Sequence, residues 1–198
     1  MARTAYNGLV PNDSTRVTGP INSTHIFCGL RLLPRAYLLA WKAIGVSIAI
    51  VTITIALCDV VLFRQILPAR YVAFFGGPGL VWRILVCMAL SIKEEIFYRL
   101  AAMSVLVIAF GFLRRDRTKA LPFAVILVAA FIAQAINIVL HAPMPSSVAE
   151  FAYDGIRYLS PGLVWGWLYW RHGLASSMIA HAGTHVVLQP ILFVALRP

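Results

Sequence analysis

Glu94 and Glu95 stand side by side in an otherwise apolar stretch, Ile92-Lys93-Glu94-Glu95-Ile96-Phe97-Tyr98-Arg99, and Arg99 follows the second glutamate by four residues. At membrane depth a charge costs about 2.5–3.5 kcal/mol even on lenient insertion scales, so such residues are rare there and mark function. On a helix Glu95 and Arg99 share a face and can pair, while Glu94 points about 100° away and is left to face a cavity. A headgroup boundary, with Lys93 and both carboxylates simply solvated, is the competing placement. His181 and His185 are also four apart, so both imidazoles leave one helix in the same direction. That spacing suits a pair of donors aimed at a developing oxyanion, or two ligands of a helical zinc site. His141 ends another apolar run, with Asn137 one turn before it and able to orient it. A carboxylate and an imidazole that share a water can act as its general base. No serine or cysteine stands in a nucleophile setting, so the chemistry these residues permit is hydrolysis by water. The metal alternative takes His181, His185 and Glu94 as a three-ligand zinc site, but lacks the His-Glu-x-x-His arrangement. His25 and His172 read as surface residues.

The elements that position these groups are membrane helices. The chain has 198 residues, is 61% hydrophobic and only 12% charged, about half the charge of a soluble domain. Its net charge of +10 lies in clusters between apolar runs. The clusters therefore read as topology signals and contacts to anionic lipid, not as a nucleic-acid surface. The three cysteines, Cys28, Cys58 and Cys87, form no disulfide framework or zinc ribbon. Residues 1–34 are mixed polar and read as a mobile or interfacial tail. Residues 35–79 read as a first transmembrane helix and a connecting loop, and residues 80–196 as the core that carries the chemistry.

The first apolar run is Ala36 to Phe63. The second, Leu80 to Leu113, is too long for one simple span, and a break or kink is expected close to Ser91. The third, Ala120 to Leu140, ends at His141, with Pro143 and Pro145 as helix stops. Ser146 to Tyr158 reads as interfacial, and Pro161 opens a further run. There Trp165, Trp167, Tyr169 and Trp170 look like an interface belt. The last run is Gly173 to Leu196. The dense basic block Arg114 to Lys119, together with Arg171, places those turns in the cytoplasm and the Pro143–Pro145 loop on the other side. Open strands cannot satisfy their backbone in lipid, so the fold is all-α, a polytopic transmembrane bundle with its catalytic cavity inside the membrane.

Glu94-Glu95-Ile-Phe-Tyr-Arg99 resembles the EExxxR motif of the CAAX-protease and bacteriocin-processing (CPBP, Abi) family of intramembrane endopeptidases. The stretch from Gly166 through His181 to His185 is similar to that family's last motif, HxxxN, and the likeness runs from about Leu80 to Leu192. The resemblance implies that Glu94 and His141 activate the attacking water. Glu95 and Arg99 would support them, with Asn137 beside them, and His181 and His185 would form the oxyanion site without any cofactor. Three positions depart from the pattern: Leu100 follows Arg99 where glycine is frequent, Asn137 stands where the second motif, FxxxH, has phenylalanine, and His185 stands where the last motif has asparagine. The implied partners are the lipid bilayer and a peptide or protein substrate, such as a prenylated, bacteriocin or sorting-tail substrate. The implied location is a prokaryotic inner or plasma membrane. A non-catalytic immunity or binding protein on the same fold is the rival of another class, and a small Glu/His proton-relay transporter is disfavoured by the lack of repeats.

Overall fold

The computed structural model of the chain describes residues 30, 32–33, 37–77, 79–113, 121–141 and 144–196. Every regular element among them is helical: α1 (Tyr37–Leu57), α2 (Ala69–Gly76), α3 (Leu80–Glu94), α4 (Ser104–Phe112), α5 (Phe123–His141), α6 (Val148–Asp154), α7 (Ser160–His172) and α8 (Leu174–Leu196). Four helical stretches are long and apolar enough to cross a membrane: Ala40–Leu62, Leu80–Phe112, Phe123–His141 and Leu174–Leu196. Ile53, Val61, Val81, Val105, Val139 and Val194 point outward on them, as lipid-facing side chains do. The protein is a multi-pass integral membrane protein.

The centre of the bundle is α8, which packs against α1, α3 and α7, while α5 lies against α7. Small residues set the last contact. A Cβ on Gly162 would come within 2.3 Å of the Gln134 side chain, and one on Gly166 within 2.5 Å of the Ala130 Cβ. Gly162 and Gly166, spaced as a small-xxx-small pair, let the α7 backbone approach α5 closely. Gly173, at φ +94°, turns the chain from α7 into α8 against the Leu33 backbone.

Several expectations are corrected here. The chain does not break at Ser91: the helix runs without a gap from Leu80 to Phe112, with no proline or glycine near that point to interrupt it. What departs from α geometry is a π segment, Glu95–Met103. Pro161 stands in the first turn of α7, which follows α6 and a π segment (Gly155–Leu159) without a gap. Two of the four aromatics do not belong to an interface belt: Trp165 and Tyr169 are buried, and the Tyr169 hydroxyl meets that of Ser104 at 2.9 Å. His172 is buried as well, edge-on to Trp167, and is not a surface residue. The end of the segment read as a tail belongs to the packed fold: Leu30 is fully buried, and the Leu32 carbonyl accepts the Ala175 N–H at the start of α8. The rest of that segment, the basic block 114–119 and Pro143 lie outside the described residues, as does His25.

Candidate active site

The π segment is where the acidic pair enters the bundle. A π turn carries more residues than an α turn and is frequent at functional sites. Here it buries Glu95, Tyr98, Arg99 and Met103. Glu95 is fully inaccessible. Its Oε1 lies 3.7 Å from Arg99 Nε and 3.0 Å from His181 Nδ1, and its Oε2 accepts the Ser177 hydroxyl. Arg99 also donates to the Gly162 carbonyl at 3.1 Å. The expected pairing of Glu95 with Arg99 is present, and it is extended by two α8 side chains one turn apart. A carboxylate with three polar partners is how a buried charge is tolerated.

Glu94 faces the other way, as its neighbour's pairing requires, into a cavity of about 750 Å³. Asn137 Nδ2 donates to its Oε2 at 3.3 Å. The same residue's carbonyl lies 3.1 Å from His141 Nδ1, and the Tyr98 hydroxyl stands 3.2 Å from that nitrogen. Asn137 therefore touches both Glu94 and His141. With Nδ1–H donated to the carbonyl, His141 Nε2 carries the lone pair that a general base or water-orienting group needs.

His181 and His185 line the same cavity from α8. Their rings lie 5.5 Å apart at 30°. His181 spends Nδ1 on Glu95, and its Nε2 makes no hydrogen bond among the described residues. His185 Nδ1 is likewise without a partner among them. The structure thus brings Glu94, Asn137, His141, His181 and His185 to one cavity, with Glu95 and Arg99 packed behind it. Among the described residues, no three His, Cys, Asp or Glu side chains gather in an arrangement that would hold a metal ion.

Four contributors escaped the sequence reading. Gln134 lines the cavity one turn before Asn137. Its spacing of three and seven from Asn137 and His141 marks a polar line on α5, a signal that was readable. Tyr98 lies inside the acidic motif, and Ser177 one turn before His181. Trp165 stacks on His181 with ring centroids 3.4 Å apart and planes at 19°.

A second polar cluster borders the same cavity through Tyr71 and Arg157. Arg157 Nε meets Asp59 at 2.9 Å, the Tyr71 hydroxyl donates to Asp59 at 2.6 Å, and Arg157 Nη2 donates to the Tyr71 oxygen at 3.0 Å. This ties α2 to the π segment Cys58–Leu62 and to the one before α7. At the cavity mouth, Ser146 gives Glu150 both its N–H and its hydroxyl, which hold that carboxyl below the usual range.

The sequence model of the family described as Rce1-like, type II CAAX prenyl endopeptidase, matches residues 76–187. That span holds Glu94, Glu95, Arg99, Asn137, His141, His181 and His185. Neither the curated proteins nor the solved structures contain a match to this chain.

Proposed function

The chain belongs to the Rce1-like family of type II CAAX prenyl endopeptidases, and on that premise we propose that its peptidase chemistry is glutamate-dependent hydrolysis within the membrane. A bilayer-embedded peptidase acting on a peptide substrate follows from the family. The finer reading assigns the roles. Water sits between Glu94 and His141. Glu94 takes a proton from it as the oxygen attacks the scissile carbonyl, and His141 orients it. The carbonyl oxygen becomes an oxyanion, which His181 and His185 stabilise by donation. Glu95 fixes the His181 ring through Nδ1, and Arg99 holds Glu95. The proton taken by Glu94 passes to the leaving amine as the tetrahedral species collapses.

One observation carries this reading. Asn137 bridges Glu94 and His141 at a cavity that His181 and His185 also line. Wet carboxylates at a headgroup boundary would not need Asn137 or Arg99 as partners. The substrate is a membrane-anchored tail, and the prenylated CAAX tail is the class that the family's description names. The test uses purified protein in detergent and a quenched-fluorescent peptide ending in S-farnesyl cysteine, two aliphatic residues and a free C-terminal residue. Products are read by mass spectrometry. Cleavage at one bond, lost in His141→Ala and unchanged by 1,10-phenanthroline, supports the proposal. Cleavage abolished by phenanthroline and restored by zinc transfers the chemistry to a metal on His181 and His185.

A further inference from the structure

Three residues from three elements close a ring with His181. Glu95 Oε1 takes the His181 Nδ1 contact at 3.0 Å, Glu95 Oε2 accepts the Ser177 hydroxyl, and that hydroxyl also lies 2.9 Å from the Trp165 carbonyl. The Trp165 side chain then returns to His181, ring on ring at 3.4 Å and 19°. Trp165 is itself clamped. It is 5% exposed, sits one residue before the Gly166 contact with Ala130, and has the Arg99 guanidinium 5.9 Å from its ring centroid.

An imidazole has two side-chain rotations to be fixed. The Nδ1–Glu95 contact restrains where one ring atom points, but leaves the ring able to swing about that contact. A flat face against the ring removes the swing, since face contact between aromatic rings carries an orientation preference as well as buried area. In this fold nothing else described stacks on His181 except His185, farther off at 5.5 Å. We propose that Trp165 is a positioning residue for catalysis: its indole face holds the His181 ring so that Nε2 meets the developing oxyanion. The proposal rests on the oxyanion role given to His181 above. No motif noted in the sequence includes Trp165, and its reading as an interface aromatic concealed it.

A positioning role acts on the transition state and leaves ground-state binding alone, so the loss belongs in kcat. The backbone part of the ring, Trp165 carbonyl to Ser177, survives side-chain substitution. This permits two variants that differ only in the face presented. Trp165→Phe keeps a flat ring, while Trp165→Met fills similar space without one. In the S-farnesyl peptide assay, Trp165→Met is expected to lower kcat about 10- to 100-fold, the scale of a catalytic group displaced by an ångström. KM should stay within about twofold, because uniform binding is untouched. Trp165→Phe should stay within about threefold of wild-type kcat, because stacking persists. Each value is normalised to folded protein by size-exclusion profile and Tm.

An unchanged kcat in Trp165→Met overturns the proposal, as does a loss confined to KM, or a Phe variant no better than Met at equal folding. Should Trp165→Met not fold, Trp165→Phe decides alone: a loss of more than about tenfold at wild-type Tm refutes stacking as the function. His181→Ala separates the two levels. If it retains full turnover, the oxyanion reading fails and the positioning proposal falls with it. If it is inactive while Trp165→Met is normal, only the positioning proposal falls.

Discussion

Glu95→Gln is expected to unsettle the fold far more than Glu94→Gln, although the two residues are adjacent and chemically identical. Glu95 is fully inaccessible and Arg99 is 1% exposed. Their charges meet at 3.7 Å, with His181 and Ser177 completing the carboxylate's partners. A neutral carboxamide in place of the Glu95 carboxylate would leave the Arg99 guanidinium buried without a counter-charge. Removing one member of such a pair costs about 3–5 kcal/mol. For a protein of this length each kcal/mol moves Tm by about 2–4 °C, so the fall amounts to roughly 6–20 °C. Glu94 borders the cavity and loses only the acceptor of one 3.3 Å bond from Asn137. Its carboxamide is isosteric, and the change in Tm should stay within about 3 °C, the value of one ordinary hydrogen bond. The assay is thermal unfolding of purified protein in one detergent, followed by tryptophan emission and by loss of the monodisperse peak. Arg99→Met should fall like Glu95→Gln, and the double variant Glu95→Gln/Arg99→Met should recover part of the loss, because no uncompensated charge remains. A Glu95→Gln protein as stable as Glu94→Gln would refute the buried pair.

Two more outcomes follow from the same geometry. Gly166→Ala should lower Tm by the cost of overpacking, about 1–3 kcal/mol, because its Cβ meets that of Ala130 at 2.5 Å and both are fixed to helix backbones. Gly155→Ala, with open space around the new Cβ, should raise Tm slightly through the unfolded chain, and the reverse order of the two would contradict the close α5–α7 contact. At the cavity mouth, Ser146 depresses the Glu150 carboxyl. The contribution of that contact is therefore fully present above the unfolded carboxylate pKa near about 4.3 and lost as pH falls through the lower folded value. Hydrogen exchange at the Ser146 amide, corrected for intrinsic pH dependence, should show protection at pH 7 that disappears below that range and is absent in Glu150→Gln.

The membrane bundle was legible because so few charges interrupt the apolar runs. Glu95 with Arg99, and His181 with His185, were legible because spacing by four defines a helix face without knowledge of the fold. Glu94 was assigned to a cavity by the same argument. What escaped has physical reasons. The π segment alters the periodicity that face arguments assume, and no glycine or proline announces it. Trp165 lies in an aromatic run that ends at Arg171 and so has the composition of an interface, and only the α7–α8 packing turns its ring onto His181. The cluster of Asp59, Tyr71 and Arg157 joins three segments far apart in the chain, so no local pattern carries it. Gln134 was within reach, since its polar line with Asn137 and His141 repeats at helical spacing. The Gly162-Leu-Val-Trp-Gly166 pair, a small-xxx-small signature, also stood in the sequence as a marker of the α5 contact.

Turnover of the S-farnesyl peptide by Glu94→Gln, set beside wild type at matched Tm, bears most directly on the glutamate mechanism. Removing the general base from an intact cavity should lower kcat by about 10²–10⁴-fold, the usual value of such a group, with product appearing only at long incubation. Wild-type kcat from Glu94→Gln would take the water-activating role away from Glu94 and leave the Glu94–Asn137–His141 line as packing between α3 and α5.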